Sequence, residues 1–408
     1  MKILFIAGCY AKESEDILRK DCKGKVGIQN APNVFQWSVI KGLFENDVDF
    51  EVISFPWLPI FPIRYKKAYS PLYEIEYSNK KVGRMYPYCT IIGLKPYSIK
   101  WRLKKEVENR LKKRSENEKT IILLYGINSF VTGAIIPLKK KFSNIKIAAI
   151  ITDLIDDAFN YKTNNTFLKR IQVKREIIAQ KESYKHIDIF ILLTKAMEER
   201  IPEAIGHSCV VEGICDRSLD DDLPPKVDDG VRSLLYTGTL QKYVGIDDFV
   251  DAFVKTTDAN YRLIICGAGP SEQYIKEQAS KDKRIIYKGV VPRDEALALQ
   301  QKATIVVNPR KPTEEITRYS FPSKTIEYLS SGTPMIGYQL EGISDEYYSF
   351  IYSPKGLATE DMTELIDEVL SKPDLELRER AIAARRFINE SKTAKIQVRK
   401  IINFIIGK

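Results

Sequence analysis

The chain has 408 residues, 44% hydrophobic and 10% aromatic, enough to build two domains at roughly 100–200 residues each. Its net charge of +10 is uneven: residues 1–200 hold 36 Lys+Arg against 22 Asp+Glu (net +14), and residues 201–408 hold 28 against 32 (net −4). No run of about 18 apolar residues exists, which argues against a membrane-spanning helix. Six cysteines (9, 22, 89, 209, 215, 266) with no CxxC pair read as reduced thiols, not a disulfide or zinc framework.

The chain opens on an apolar strand, Lys2–Ala7, running into Gly8-Cys9-Tyr10; this start is too short for a signal sequence. Further strands are expected at 50–55, 120–125, 145–152, 187–194 and 209–214, with helices at 34–43, 97–115, 130–141 and 165–185. Asn33 and Gln36 follow Gly27 and open the first of these helices, where they are candidates to touch an acceptor substrate. Asp153 follows the apolar strand ending at Thr152, so it projects from a strand's carboxyl end, where ligands of open α/β sheets bind. It is a candidate to orient or deprotonate an acceptor hydroxyl, or it simply caps the following segment. His186 and His207 stand at no triad or metal spacing and read as structural.

The basic excess concentrates in residues 63–146 and 167–185. Trp57 to Lys67 mixes aromatics, prolines and cations, and Trp101-Arg102-Leu103-Lys104-Lys105 opens a basic helix. Such a surface suits an anionic membrane, where each Lys or Arg adds about 1 kcal/mol; the plain alternative is a solvated helix face. No nucleic-acid-binding signature accompanies the charge. Asp220-Asp221-Asp222, Pro224-Pro225 and Asp228-Asp229-Gly230 form a linker over 217–230 between domains 1–216 and 231–385, and the acidic triplet reads as solvated, not as a metal site.

Beyond the linker, Ser233–Leu240 is a strand running into Gly238, followed by Gly245 and an amphipathic helix over 246–254. Tyr261–Cys266 ends in Gly267-Ala268-Gly269; a dinucleotide fingerprint wants a third glycine where Glu272 stands, so NAD binding is not expected. Strands over 284–292 and 304–309 complete a pattern of alternating strand and helix, which implies a parallel, doubly wound sheet. Then comes Asn308-Pro309-Arg310 … Arg318-Tyr319-Ser320-Phe321-Pro322-Ser323-Lys324-Thr325-Ile326-Glu327-Tyr328 … Ser331-Gly332-Thr333-Pro334. Proline at the start and glycine at the end frame a short helix. Its N-terminus with Lys324 offers an anion cradle. Glu327, one turn deeper, offers a carboxylate able to accept two hydroxyl hydrogen bonds, the pairing that a nucleotide's diphosphate and ribose require.

This run resembles the nucleotide-sugar site of glycosyltransferase family 4, the retaining GT-B enzymes, many from bacterial capsule and exopolysaccharide synthesis. The resemblance is dense between Leu234 and Gly342. It implies two Rossmann-like doubly wound domains facing a cleft, with a C-terminal helix over 386–408 crossing back to the first domain. It also implies that Glu327 binds the donor ribose, that Ser323 and Lys324 hold the diphosphate, and that backbone near Gly289 and Val290 meets the base. The family often carries an earlier glutamate where this chain has Tyr319, and phosphate-binding Arg and Lys where it has Thr239 and Val244. Lys242, Arg318 and Lys324 are candidates to supply that charge, with Gly238, Thr239 and Gly267 lining the same site.

The activity so implied is retaining transfer from a nucleoside diphosphate sugar, without a metal or a further cofactor. Lys324 would stabilise the departing diphosphate, and the acceptor would be a glycan or a polyprenyl-diphosphate-linked glycan. A cytoplasmic protein peripheral to the inner face of the cell membrane fits that task. Two alternatives remain from the sequence: a sugar-nucleotide epimerase of the same fold, and a non-catalytic partner of an assembly complex.

Overall fold

In a computed structural model, residues 1–23, 30–115, 118–154, 167–215, 217, 230–313 and 315–407 are described. The chain divides into two compact units, Met1–Asp216 with Ala394–Lys408, and Arg217–Thr393. Residues 218–229 of the acidic, proline-rich stretch proposed as a linker, and Gly27, lie outside the described residues.

The first unit comprises β1 (Lys2–Ala7), α1 (Glu15–Asp21), α2 (Asn30–Glu45), β2 (Phe50–Ser54), β3 (Tyr73–Tyr77), β4 (Lys80–Met85), α3 (Lys95–Leu111), β5 (Thr120–Tyr125), α4 (Ser129–Lys141), β6 (Ile145–Ile151), α5 (Phe167–Tyr184), β7 (Ile189–Leu192), α6 (Met197–Arg200) and β8 (Ser208–Val210). Its eight strands order as β3-β4-β2-β1-β5-β6-β7-β8. All pairs are parallel except β3 with β4. The central strands are apolar on both faces because helices cover both, which is why Ile3, Leu4 and Phe5 are fully buried in succession.

The β3–β4 hairpin was not anticipated, although its signal is present. Tyr73-Glu74-Ile75-Glu76-Tyr77 alternates with period two, and Ser78 and Asn79 both take positive φ (51° and 60°), the geometry of a tight hairpin turn.

The second unit comprises β9 (Arg232–Thr237), α7 (Ile246–Lys255), β10 (Tyr261–Cys266), α8 (Glu272–Lys281), β11 (Ile285–Gly289), α9 (Arg293–Lys302), β12 (Ile305–Asn308), α10 (Ile316–Tyr319), α11 (Lys324–Leu329), β13 (Met335–Gly337), β14 (Ile351–Tyr352), α12 (Thr359–Leu370) and α13 (Asp374–Ser391). Its sheet is parallel throughout, in the order β11-β10-β9-β12-β13-β14. The order reverses beside β9, so the carboxyl ends of β9, β10 and β12 border the switch point where such sheets bind ligands.

The C-terminal segment corrects the expectation of one helix over 386–408. α13 stops at Ser391, and α14 (Ala394–Gly407) starts after Lys392 and Thr393. Lys392 is buried, pairs with Glu346 at 2.6 Å and lies 4.7 Å from the Tyr347 ring centroid, which anchors the break in the second unit. α14 packs on α2 of the first unit. Its Val398, Ile401, Ile402 and Ile405 join Val39, Ile40 and Leu43 over the sheet face of Phe5 and Leu123. Gly42 makes this approach possible: a Cβ there would stand 2.4 Å from the Ala394 carbonyl oxygen and from Val398.

Candidate functional site

The donor-side candidates converge in the second unit. β9 ends at Thr237, and Gly238 follows with its N–H donating to the Cys266 carbonyl at 2.8 Å. Gly267 takes φ 145° and donates to the Gly289 carbonyl at 2.7 Å. A Cβ on Gly267 would fall 1.7 Å from the Gly238 carbonyl oxygen, so no other residue fits. Three strand ends are thereby laid side by side, with Val290, 76% exposed, next in line.

Against the first of them, at Gly238, lies Lys324, the first residue of α11. A Cβ on Gly238 would meet the Lys324 Cε at 2.4 Å, so the glycine makes room for the lysine side chain. Lys324 Nζ sits 5.8 Å from the Tyr236 ring centroid and 5.5 Å from that of Tyr328. Among the described residues no carboxylate pairs with it. Both tyrosines are buried and braced: Tyr236 donates to the Thr239 carbonyl at 2.7 Å, and the Tyr328 hydroxyl accepts from the Thr237 N–H at 3.0 Å. Burial pushes the Tyr236 phenol well above its usual range, so it stays neutral beside the lysine.

Glu327 is half-buried on the same helix, and its Oε1 accepts from Gln300 Nε2 at 2.7 Å. Gln300, fully buried on α9, also reaches Thr237 Oγ1 at 3.2 Å, so it ties the carboxylate to the end of β9. The second oxygen of Glu327 has no partner among the described residues and is free to accept a ligand hydroxyl. Gln300 carries no signal in the sequence; a glutamine on a mostly polar helix looks like a surface residue until the fold buries it.

The other candidates place differently. Ser323 precedes α11 and is exposed. Thr239 is exposed beside Gly238, and Lys242 is exposed in a 3-10 turn over Lys242–Val244. Arg318, on α10, is paired with Glu341 at 3.0 Å, so its charge is already engaged. Tyr319, at the position of the family's earlier glutamate, is buried. α11 has only six residues. The expected helix-end cradle is therefore weaker than supposed, because few peptide dipoles add along so short a helix. Lys324 and the glycine-loop backbone are left as the cationic and N–H side of the site.

Asp153, Asn33 and Gln36 belong to the first unit. Asp153 is exposed two residues past β6, and its Oδ2 accepts from Thr152 Oγ1 at 3.1 Å. Asn33 and Gln36 line a pocket of about 350 Å3 at the carboxyl ends of β1, β2 and β5, together with Gly8, Trp57, Lys95 and Tyr125. Asp153 is not part of that wall. Both amides are also engaged structurally: Asn33 Oδ1 accepts from the Tyr10 N–H at 3.0 Å, and Gln36 Oε1 from the Gly8 N–H at 2.5 Å. They hold the loop after β1 in shape. None of the six cysteines forms a disulfide among the described residues, and no helix of the described residues is long and apolar enough to cross a membrane.

Residues 231–372 match the family described as "Glycosyl transferases group 1". No curated protein matches the chain. Among solved structures, sucrose-phosphate synthase from Thermosynechococcus elongatus superposes with a TM-score of 0.63 at 14% identity, over 100% of this chain and 98% of that one. The apo lipopolysaccharide outer core galactosyltransferase WaaB gives 0.59 at 16% identity, covering 100% and 99%. Anabaena HepE, in complex with UDP and glucose, gives 0.59 at 12% identity, covering 100% of both chains. At these identities the likeness establishes the fold, GT-B, over the whole length. The family match spans every donor-side residue named above, from Gly238 to Glu327. The chain thus has the GT-B fold, and its residues 231–372 are similar to group 1 glycosyltransferases.

Proposed function

We propose that this protein is a retaining glycosyltransferase that moves a sugar from a nucleoside diphosphate sugar to a glycan or polyprenyl-diphosphate-linked glycan in surface polysaccharide synthesis. The observation that carries the reading is the juxtaposition of Gly238, Lys324 and Glu327. Lys324 has no acidic partner among the described residues and lies over the glycine loop, ready to meet a diphosphate. One Glu327 oxygen is held by Gln300 and the other is open to ribose. In this reading Lys324 and the loop N–H groups carry the leaving diphosphate's charge without a metal, and backbone at Gly289 and Val290 faces the base. Asp153 acts on the acceptor side.

Calorimetry with UDP, GDP, ADP and CMP tests it. One of them should bind, and Glu327→Ala should weaken that binding by about tenfold to a hundredfold, the worth of hydrogen bonds to a charged acceptor. If no nucleotide binds, or Glu327→Ala binds like wild type, the donor site is wrongly placed. Binding without transfer to any acceptor would favour a non-catalytic role.

The reading also places the protein on an anionic membrane, at the first unit's basic surface. Its support is a band of exposed apolar side chains among the cations. Ile63, Ile92, Tyr97 and Trp101 are each more than 60% exposed, with Tyr97 and Trp101 one turn apart on α3.

A further inference from the structure

The pocket of the first unit has apolar and aromatic walls, with Phe55, Trp57, Tyr125 and Phe130 among them. Lys95, the first residue of α3, is the single charged side chain among its described lining residues. Three consecutive carbonyls of the loop after β2 accept side-chain donors there: Pro56 from the Tyr88 hydroxyl, Trp57 from the Tyr10 hydroxyl at 2.6 Å, and Leu58 from Lys95 Nζ. The ammonium lies 5.4 Å from the Trp57 ring centroid and 5.9 Å from that of Tyr88. No carboxylate pairs with it among the described residues. Burial pushes its pKa down from 10.5 to about 8.

A purely structural role does not require this residue. A neutral amide would satisfy the Leu58 carbonyl as well, without the cost of keeping an ammonium away from water and from any counter-charge. Cation–π contact with Trp57 and Tyr88 offsets part of that cost but supplies no anion. Two of the three ammonium donors remain for a ligand.

We propose that this pocket binds the anionic group of a saccharide, a carboxylate or a phosphate, with Lys95 as its counter-charge and the aromatic wall against the sugar ring. The volume is at the small end of ligand pockets, which run from about 300 to 1,000 Å3. The proposal rests on the reading of the first unit as the acceptor side and makes the acceptor an acidic or phosphorylated sugar.

The test is titration of the intact protein, without donor, with methyl glucuronide, glucose phosphate, methyl glucoside and inorganic phosphate. One charged sugar should bind at least about tenfold tighter than the neutral glucoside, and its identity tells carboxylate from phosphate. Lys95→Met should abolish the difference. In wild type the difference should also shrink as salt rises, a measurement independent of how the variant folds. Equal binding of charged and neutral sugars overturns the proposal, and so does a preference that survives in Lys95→Met. Inorganic phosphate binding as tightly as glucose phosphate overturns it too, because the sugar then contributes nothing. Its failure is separable from that of the donor site: the nucleotide titrations report on the second unit alone.

Discussion

At the scale of single residues, Lys95 and Lys324, two lysines with no acidic partner among the described residues, carry the functional argument. Lys95 is ionised at neutral pH in a place that resists charge, so its pKa falls from 10.5 to about 8. Between those values the unfolded chain binds a proton that the folded protein has released. Stability should therefore rise with pH across about 8 to 10.5, the opposite of a lysine held in an ion pair. Tyr10 and Tyr88 donate to the carbonyls beside Lys95, and Tyr125 lines the pocket; burial pushes the Tyr88 and Tyr125 phenols above their usual range, so both stay neutral there. Lys95→Met should flatten that rise and stabilise the protein at neutral pH by about 1–2 kcal/mol, the relief of burial less one hydrogen bond. Denaturant unfolding of both proteins at neutral and at alkaline pH reads this directly. A variant less stable than wild type would make Lys95 a structural strut. In the second unit, Gln300 shows how a residue far from the motif in sequence enters the site: it aims Glu327, so its loss should act through the carboxylate.

At the scale of elements, α14 is the informative one. It leaves the second unit's chain and becomes part of the first unit's core, because its apolar stripe, Val398, Ile401, Ile402 and Ile405, matches the α2 stripe at helical spacing. Gly42 sets the distance between the two helices. Gly42→Val should destabilise the first unit by about 1–3 kcal/mol through overpacking. The nucleotide titration should stay unchanged, since the donor residues lie in the other unit. A variant with unaltered unfolding would mean that α14 is not seated on α2 in solution. By contrast α11, at six residues, contributes little through its own dipole. It works as a mount for Lys324 and Glu327.

At the scale of the whole molecule, charge is divided between the halves, +14 against −4. The protein should co-sediment with vesicles rich in phosphatidylserine at low salt and be released at high salt, as the Debye length falls from about 10 Å at 0.1 M to about 3 Å at 1 M. Tyr97→Ser with Trp101→Ser should weaken the association while leaving nucleotide binding intact. Binding indifferent to lipid charge and to these two residues would remove the membrane from the reading.

What the sequence determined by itself were the features carried by local pattern. Alternating apolar strands and helices sufficed for the parallel strands of both sheets, since covered strands must be apolar on both faces. The Ser323–Glu327 run sufficed to mark a candidate donor site, because spacing along one short helix is a local property. Tertiary structure alone decided what depends on distant residues meeting. It set Lys324 over Gly238, joined Gln300 to Glu327 and occupied Arg318 with Glu341. It turned Asn33 and Gln36 toward backbone N–H groups of the β1 loop, and it closed Lys95 into an aromatic pocket. None of these pairings has a sequence period, because each is fixed by how strands order in a sheet and not by spacing along the chain.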